Sequence, residues 1–300
     1  MGKLISPLIV LCIVAIALAT PPASPKTAPP HTPAPATAPK PLATQPVLLL
    51  PRNAVKIVTE KRKDAQGREY WLHRPATLEQ CRPYFLVVAA HAYGDSGKEA
   101  DAFKILAHYG NCIVVCPTFV PAYISLGKGT DKQLLDLFAA LKKEFVLHDK
   151  LFLTGASGGS QYAHRFTLRH PAAVLGCAAH AGGAWCTDRH TWRGDEALSD
   201  KIRTIPFVVS CGTADRRLQN TVRFAGELVK GKYCVKEIYW AGLGHALDVR
   251  TLIVTVEGYF LSAYGLDPID GARFDKRVSA AAQTIRTATT QKARTAAERR

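Results

Sequence analysis

Two rhythms of apolar and polar positions alternate along the middle of this chain. Tyr84 to Ala90, Cys112 to Cys116, Leu151 to Thr154, Val174 to Ala181, Pro206 to Cys211 and Val235 to Trp240 are short, nearly continuous apolar runs. Runs of that length without a polar face read as strands buried on both sides. Between them lie segments with helical spacing. In Asp131 to Phe145, Leu134, Leu135, Leu137, Phe138, Leu141 and Phe145 fall on one side. Lys98 to Tyr109, Gln161 to His170, Thr221 to Val229 and Leu247 to Tyr264 read as further helices, the second of them stopped by Pro171. Ahead of this alternation, Ala54 to Thr59 and Arg68 to His73 read as two strands joined by a turn at Gln66-Gly67. The pattern predicts an α/β fold: a mostly parallel sheet with an antiparallel N-terminal edge and helices on both faces.

The two ends of the chain break the pattern. Lys3 precedes an apolar run from Leu4 to Ala19 that closes on Ala17-Leu18-Ala19, an A-x-A cleavage site. Residues 1–19 are therefore expected to be an export signal, making the protein secreted or periplasmic. Left uncleaved, the run would tether it to a membrane, although it falls short of the ~20 residues of a span. Residues 20–46 are rich in Pro, Ala and Thr and contain no acid. Such a segment is an extended spacer. Residues 47–268 are left as a single domain. Residues 269–300 form a tail in which, from Lys276 onward, seven basic residues face the one acid Glu298, a net charge of +6.

Composition adds limits. The 300 residues are 47% hydrophobic and 21% charged, enough for one core of ordinary size. The net charge of +15 reads first as a means of solubility and second as an affinity for polyanionic or anionic-lipid surfaces, to which the tail offers weak binding; no nucleic-acid motif accompanies it. Eight cysteines include Cys12 in the apolar leader, so the mature chain keeps an odd number. Disulfides and buried free thiols both stay open. Cys112 and Cys116, four apart on one strand and so ~13 Å from each other, cannot pair together. No Cys/His spacing resembles a zinc site.

The chemistry gathers after the strands. Gly155-Ala156-Ser157-Gly158-Gly159 is a G-x-S-x-G turn between a strand and a helix. Small neighbours allow a strained turn there, and the helix that follows aims N–H groups at the serine. Alone, the motif could be a glycine-rich turn with a bystander serine. Gly212-Thr213-Ala214-Asp215 and Gly242-Leu243-Gly244-His245 lie after two later strands. A serine hydroxyl needs a base, and the base needs an acid to fix its tautomer. Ser157, His245 and Asp215 supply all three. Asp215 could instead merely cap the helix after it, and Asp188 and Asp195 are rival acids.

On these three motifs the chain resembles the α/β-hydrolase superfamily, over about Ala54 to Gly265. Within it the chain is similar to secreted carboxylesterases of the polyhydroxybutyrate depolymerase and feruloyl esterase type. That narrower likeness rests on the export signal, the helix ending at His170-Pro171 and the lack of a separate cap domain. The resemblance implies a Ser-His-Asp esterase with no metal or organic cofactor, acting on a small-molecule or polymeric ester. It implies oxyanion donors at the backbone N–H groups of Tyr93 and Gly158. Two positions depart from the pattern: Ser160 replaces a frequent third glycine, and Ala92 replaces the glycine after His91. His91 is expected to pack under the oxyanion loop and His180 to line the pocket. Trp185 and Trp192, in the insertion from Ala184 to Thr204, either roof the core or wall the pocket. Two other readings stay open: a serine peptidase or thioesterase of the same fold, and a non-catalytic, surface-tethered binding module.

Overall fold

The computed structural model describes residues 54–120, 126, 129–183 and 202–265. The expected export signal, spacer and basic tail lie outside the described residues, as do Trp185, Asp188, Trp192 and Asp195.

Eight strands form one sheet: β1 (Ile57–Lys63), β2 (Glu69–Pro75), β3 (Tyr84–Ala90), β4 (Cys112–Pro117), β5 (Leu147–Ala156), β6 (Val174–His180), β7 (Phe207–Gly212) and β8 (Val235–Trp240). Their spatial order is β1-β2-β4-β3-β5-β6-β7-β8. β1 pairs antiparallel with β2, and β2 antiparallel with β4. Every later pairing is parallel. The antiparallel edge and parallel body match the expectation.

The helices are α1 (Thr130–Glu144), α2 (Gly158–Arg169), α3 (Leu218–Lys230) and α4 (Val249–Tyr264), with a 3-10 helix at Glu99–Tyr109. Side chains of a strand alternate between the two faces of its sheet. In β3, Leu86 and Val88 pack into a core shared with α1, α2 and α3, through Leu134, Phe138, Tyr162, Phe166 and Phe224. Val87 and Ala89 pack into the opposite core with Phe103 and Leu106 of the 3-10 helix and Val256 and Phe260 of α4. Helices therefore cover both faces. β3, and β5 from Leu151 to Ala156, are almost wholly apolar because neither face meets water there.

The segment read as a helix from Lys98 adopts 3-10 turns. Its buried residues Ala100, Phe103 and Leu106 recur every three positions, the repeat that a three-residue turn stacks on one side. α2 starts at Gly158, directly after Ser157, and not at Gln161. The early start brings the helix N-terminus against the serine. Cys81, Cys112, Cys116, Cys177, Cys211 and Cys234 are all free thiols, so the described residues contain no disulfide. Burial pushes the thiols of Cys112, Cys177 and Cys211 up to about 12, which leaves them protonated and inert at neutral pH.

Candidate active site

Ser157 stands between β5 and α2 with φ 55 and ψ −117, a conformation an L-residue rarely adopts. Backbone strain of this kind persists only where the surroundings enforce it. Here they do. The Ser157 N–H donates to His180 O at 2.9 Å, and the Ser157 carbonyl accepts from Gln161 N at 3.1 Å. Gly159 packs on the end of β3, where a Cβ would overlap the Ala90 carbonyl. At Gly155 a Cβ would stand 2.8 Å from that same oxygen. Backbone crosses backbone there, and neither position has room for a methyl group.

Asp215 sits at the end of β7 with its side chain fully buried, while His245, beyond β8, keeps 30% of its side chain exposed. The loops that carry them are tied together. Thr213 N–H donates to Trp240 O at 2.9 Å, Ala214 N–H to Leu243 O at 3.0 Å, and Gly242 N–H to Thr213 Oγ1 at 2.9 Å. These bonds fix the distance between acid and base. Asp215 Oδ2 lies 2.8 Å from His245 Nδ1, and His245 Nε2 lies 2.9 Å from Ser157 Oγ. An ionised carboxylate only accepts, so Nδ1 carries the proton and Nε2 is free to accept from the serine. The other oxygen, Asp215 Oδ1, accepts from Arg217 N at 2.8 Å. The local turn and the contact with His245 thus use the same carboxylate, one oxygen each.

The other histidines at strand ends are held differently. His91 Nδ1 bonds to Ala92 O at 2.8 Å, and Nε2 accepts from Phe119 N at 3.0 Å. One nitrogen must donate and the other accept, so the ring is neutral and pins the loop after β3 to the loop after β4. Burial holds its pKa below the usual histidine value. His180 is 2% exposed, and its Nδ1 bonds to Ser210 Oγ at 2.8 Å. Burial lowers its pKa to about 4 against the opposing pull of the Asp215 and Asp248 carboxylates. Neither histidine touches Ser157 Oγ.

Around the serine lies a pocket of about 470 Å³. Tyr93, expected as an oxyanion donor, and His180, expected in the pocket, both lie in its lining, and the Ala92 methyl position is part of the wall. Tyr93 is 60% exposed. Gly158 is the first residue of α2, where N–H groups have no partner within the helix. Asp95, Arg216, Arg217 and Leu247 also line the pocket, and sequence reasoning did not single them out. The available signal was position alone: Arg216-Arg217 follows Asp215 directly, and Leu247 follows His245 by two residues. Among the described residues no group of three or more His, Cys, Asp or Glu side chains could hold a metal ion.

No family model and no curated protein matches the sequence. Solved structures do match. An S-formylglutathione hydrolase from Staphylococcus aureus superposes with a TM-score of 0.55 at 12% identity, over 71% of this chain and 99% of that one. A ferulic acid esterase gives 0.55 at 16% identity, over 70% of this chain and 99% of its own. A ferulic acid esterase from Anaeromyces mucronatus, solved with ferulic acid, gives 0.53 at 15% identity, over 73% and 92%. With its sheet order, its helices on both faces and these matches, the chain has the α/β-hydrolase fold.

Proposed function

We propose that the protein is a serine hydrolase that cleaves carboxylic esters through an acyl-enzyme. The hydrogen-bonded chain Ser157–His245–Asp215, with Ser157 held on a strained turn at the floor of a pocket, carries this reading. Ser157 Oγ attacks the ester carbonyl while His245 Nε2 takes the hydroxyl proton. His245 then delivers that proton to the departing alkoxide, and the alcohol leaves. Water attacks the acyl-enzyme by the same route in reverse, releasing the acid and restoring Ser157. Asp215 keeps the Nδ1 proton in place and stabilises the imidazolium. The carbonyl oxygen, once anionic, is received by the backbone N–H groups of Gly158 and Tyr93; one such donor contributes about 10²–10³ in rate. Esterases that share the fold support ester hydrolysis as the reaction class. The apolar leader and its A-x-A site support export, with cleavage after Ala19, which N-terminal sequencing of the secreted protein checks.

The test is direct. Wild type is expected to hydrolyse 4-nitrophenyl esters and to be labelled by a fluorophosphonate at Ser157. Ser157→Ala should lose both while keeping its melting temperature within a few degrees. Labelling at another residue, or full activity in Ser157→Ala, overturns the assignment.

A further inference from the structure

The pocket that holds Ser157 is charged on one side. Arg216 and Arg217 line it, while Asp95 is the only acidic side chain of the lining among the described residues. Their placement follows from the turn after β7. Asp215 must project toward His245, and the next two residues complete the turn that leads into α3.

Arg217 is built into that wall. Its side chain is half-buried. The stem lies across the backbone of Gly183, where a Cβ would meet Arg217 Cδ at 3.4 Å. Gly183 has φ +75, so the absent side chain and the left-handed backbone both suit glycine there. At its tip, the Nη1 group donates to Gly182 O at 3.2 Å. That carbonyl is itself fixed by Gln161 Nε2 at 2.6 Å. A guanidinium has five N–H donors. One goes to Gly182, and among the described residues Arg217 forms no ion pair. Arg216, beside it, is exposed and likewise forms no ion pair among the described residues. A half-buried cation held in one orientation, with donors to spare and a second cation adjacent, is a receiving site for an anion.

We propose that Arg217, assisted by Arg216, binds an anionic group on the substrate, so that the preferred esters carry a free carboxylate. This rests on the esterase reading above and adds the substrate class. The guanidinium fork matches a carboxylate in two parallel hydrogen bonds, which fixes the substrate's direction in the pocket as well as its charge. Asp95 in the same pocket repels the anion and so reinforces that direction. The chain's net charge of +15 draws anionic substrates from a distance.

The experiment compares matched esters. For a carboxylate on the acyl half, mono-4-nitrophenyl adipate is set against 4-nitrophenyl methyl adipate. For one on the alcohol half, 4-acetoxybenzoate is set against methyl 4-acetoxybenzoate. Wild type should prefer the acid of one pair in kcat/KM. Arg217→Gln should lower that preference by about 10- to 100-fold, the effect expected for losing a charged hydrogen-bond partner. Arg216→Gln should lower it less, because its charge is exposed. Wild-type preference should also shrink as salt rises. Arg217→Gln keeps the backbone N–H that holds Asp215, so a loss confined to the acidic ester separates anion binding from damage to the turn. No preference in wild type, or a preference that survives Arg217→Gln, overturns the proposal. Calorimetric binding of adipate, weaker by at least about tenfold in Arg217→Gln, reads the anion site without turnover. If adipate binds in this way but neither ester is cleaved, the anion site stands and the esterase reading fails.

Discussion

Asp64 and Asp215 each organise a turn beyond the end of a strand, and locally they do so alike. Asp64 Oδ1 accepts from Gln66 N at 2.9 Å, two residues on. Asp215 Oδ1 accepts from Arg217 N at 2.8 Å, again two residues on. The difference lies in the second oxygen. Asp64 Oδ2 takes Arg68 Nε at 2.6 Å, a neighbour within the same hairpin. Asp215 Oδ2 takes His245 Nδ1, 30 residues away and beyond the next strand. The glycines of the two regions differ as well. Gly67, in the β1–β2 turn, has φ +78 and open space where a Cβ would stand. Gly159 has no such torsion, but a Cβ there would run into the Ala90 carbonyl. The hairpin turn is a self-contained local solution. The turns that carry Ser157, Asp215 and His245 work only when several strands present their ends together.

That contrast predicts opposite outcomes for one substitution at the two aspartates. Asp215→Asn keeps the oxygen that holds the turn but can offer His245 an amide N–H, which favours the wrong tautomer. Esterase kcat should fall by about 10³–10⁴-fold, with the fold retained. Asp64→Asn also keeps the turn and loses only a hairpin ion pair. Its cost should be about 1 kcal/mol or less, with unchanged kinetics. Comparable activity losses for the two variants would break the distinction drawn between these turns.

A second pair of variants separates torsion from volume. Gly159→Ala forces the end of β3 away from α2 and should cost about 3 kcal/mol or more. Its activity should fall further than its stability implies, because the displaced segment leads into the loop that carries Ala92 and Tyr93 to the pocket. Gly67→Ala meets no atom, and its left-handed torsion should cost about 1 kcal/mol. Urea denaturation of the two variants checks this. A Gly159→Ala protein as stable as Gly67→Ala would show that β3 and α2 are less closely packed than the glycines imply.

How far these features could be read from the sequence follows the same division. Strands buried on both faces announce themselves, because a run such as Tyr84 to Ala90 has no polar position to place in water. The chemistry at their ends was legible because Ser157, Asp215 and His245 each follow such a run within a few residues. The 3-10 form of Glu99–Tyr109 was not, since Ala100, Phe103 and Leu106 also fit the spacing of an α-helix. The arginine wall was hidden too. Arg216-Arg217 looks like an ordinary solvated pair until Gly182 and Gly183, from the loop after β6, come to lie beside Arg217. Cysteine pairing was open because an odd count fits either outcome; the burial that makes Cys112 and Cys116 inert is a property of β4 packed in the sheet.

Acid should weaken the site end through a histidine that takes no part in the chemistry. His180 has a folded-state pKa of about 4 because burial disfavours its cation. In the unfolded chain it titrates near the ordinary histidine value of about 6.5. Below that value the unfolded state binds a proton that the folded state refuses, so unfolding becomes easier as the pH falls. The stability is fully present above about pH 6.5 and drains away down to about pH 4. Between pH 7 and pH 5 the contribution of this one group should be about 2 kcal/mol. His73, in β2, has the same depressed pKa of about 4, again from burial. The hairpin edge and the active end are thus both acid-sensitive, and total stability cannot tell them apart. Urea midpoints measured across this range for His180→Gln and His73→Gln can. Each should flatten the acid limb by one histidine's share. Only His180→Gln should also disturb turnover at neutral pH, because its carbonyl and Ser210 partner adjoin the Ser157 turn. An acid limb unchanged in both variants would place the lost protons elsewhere in the molecule.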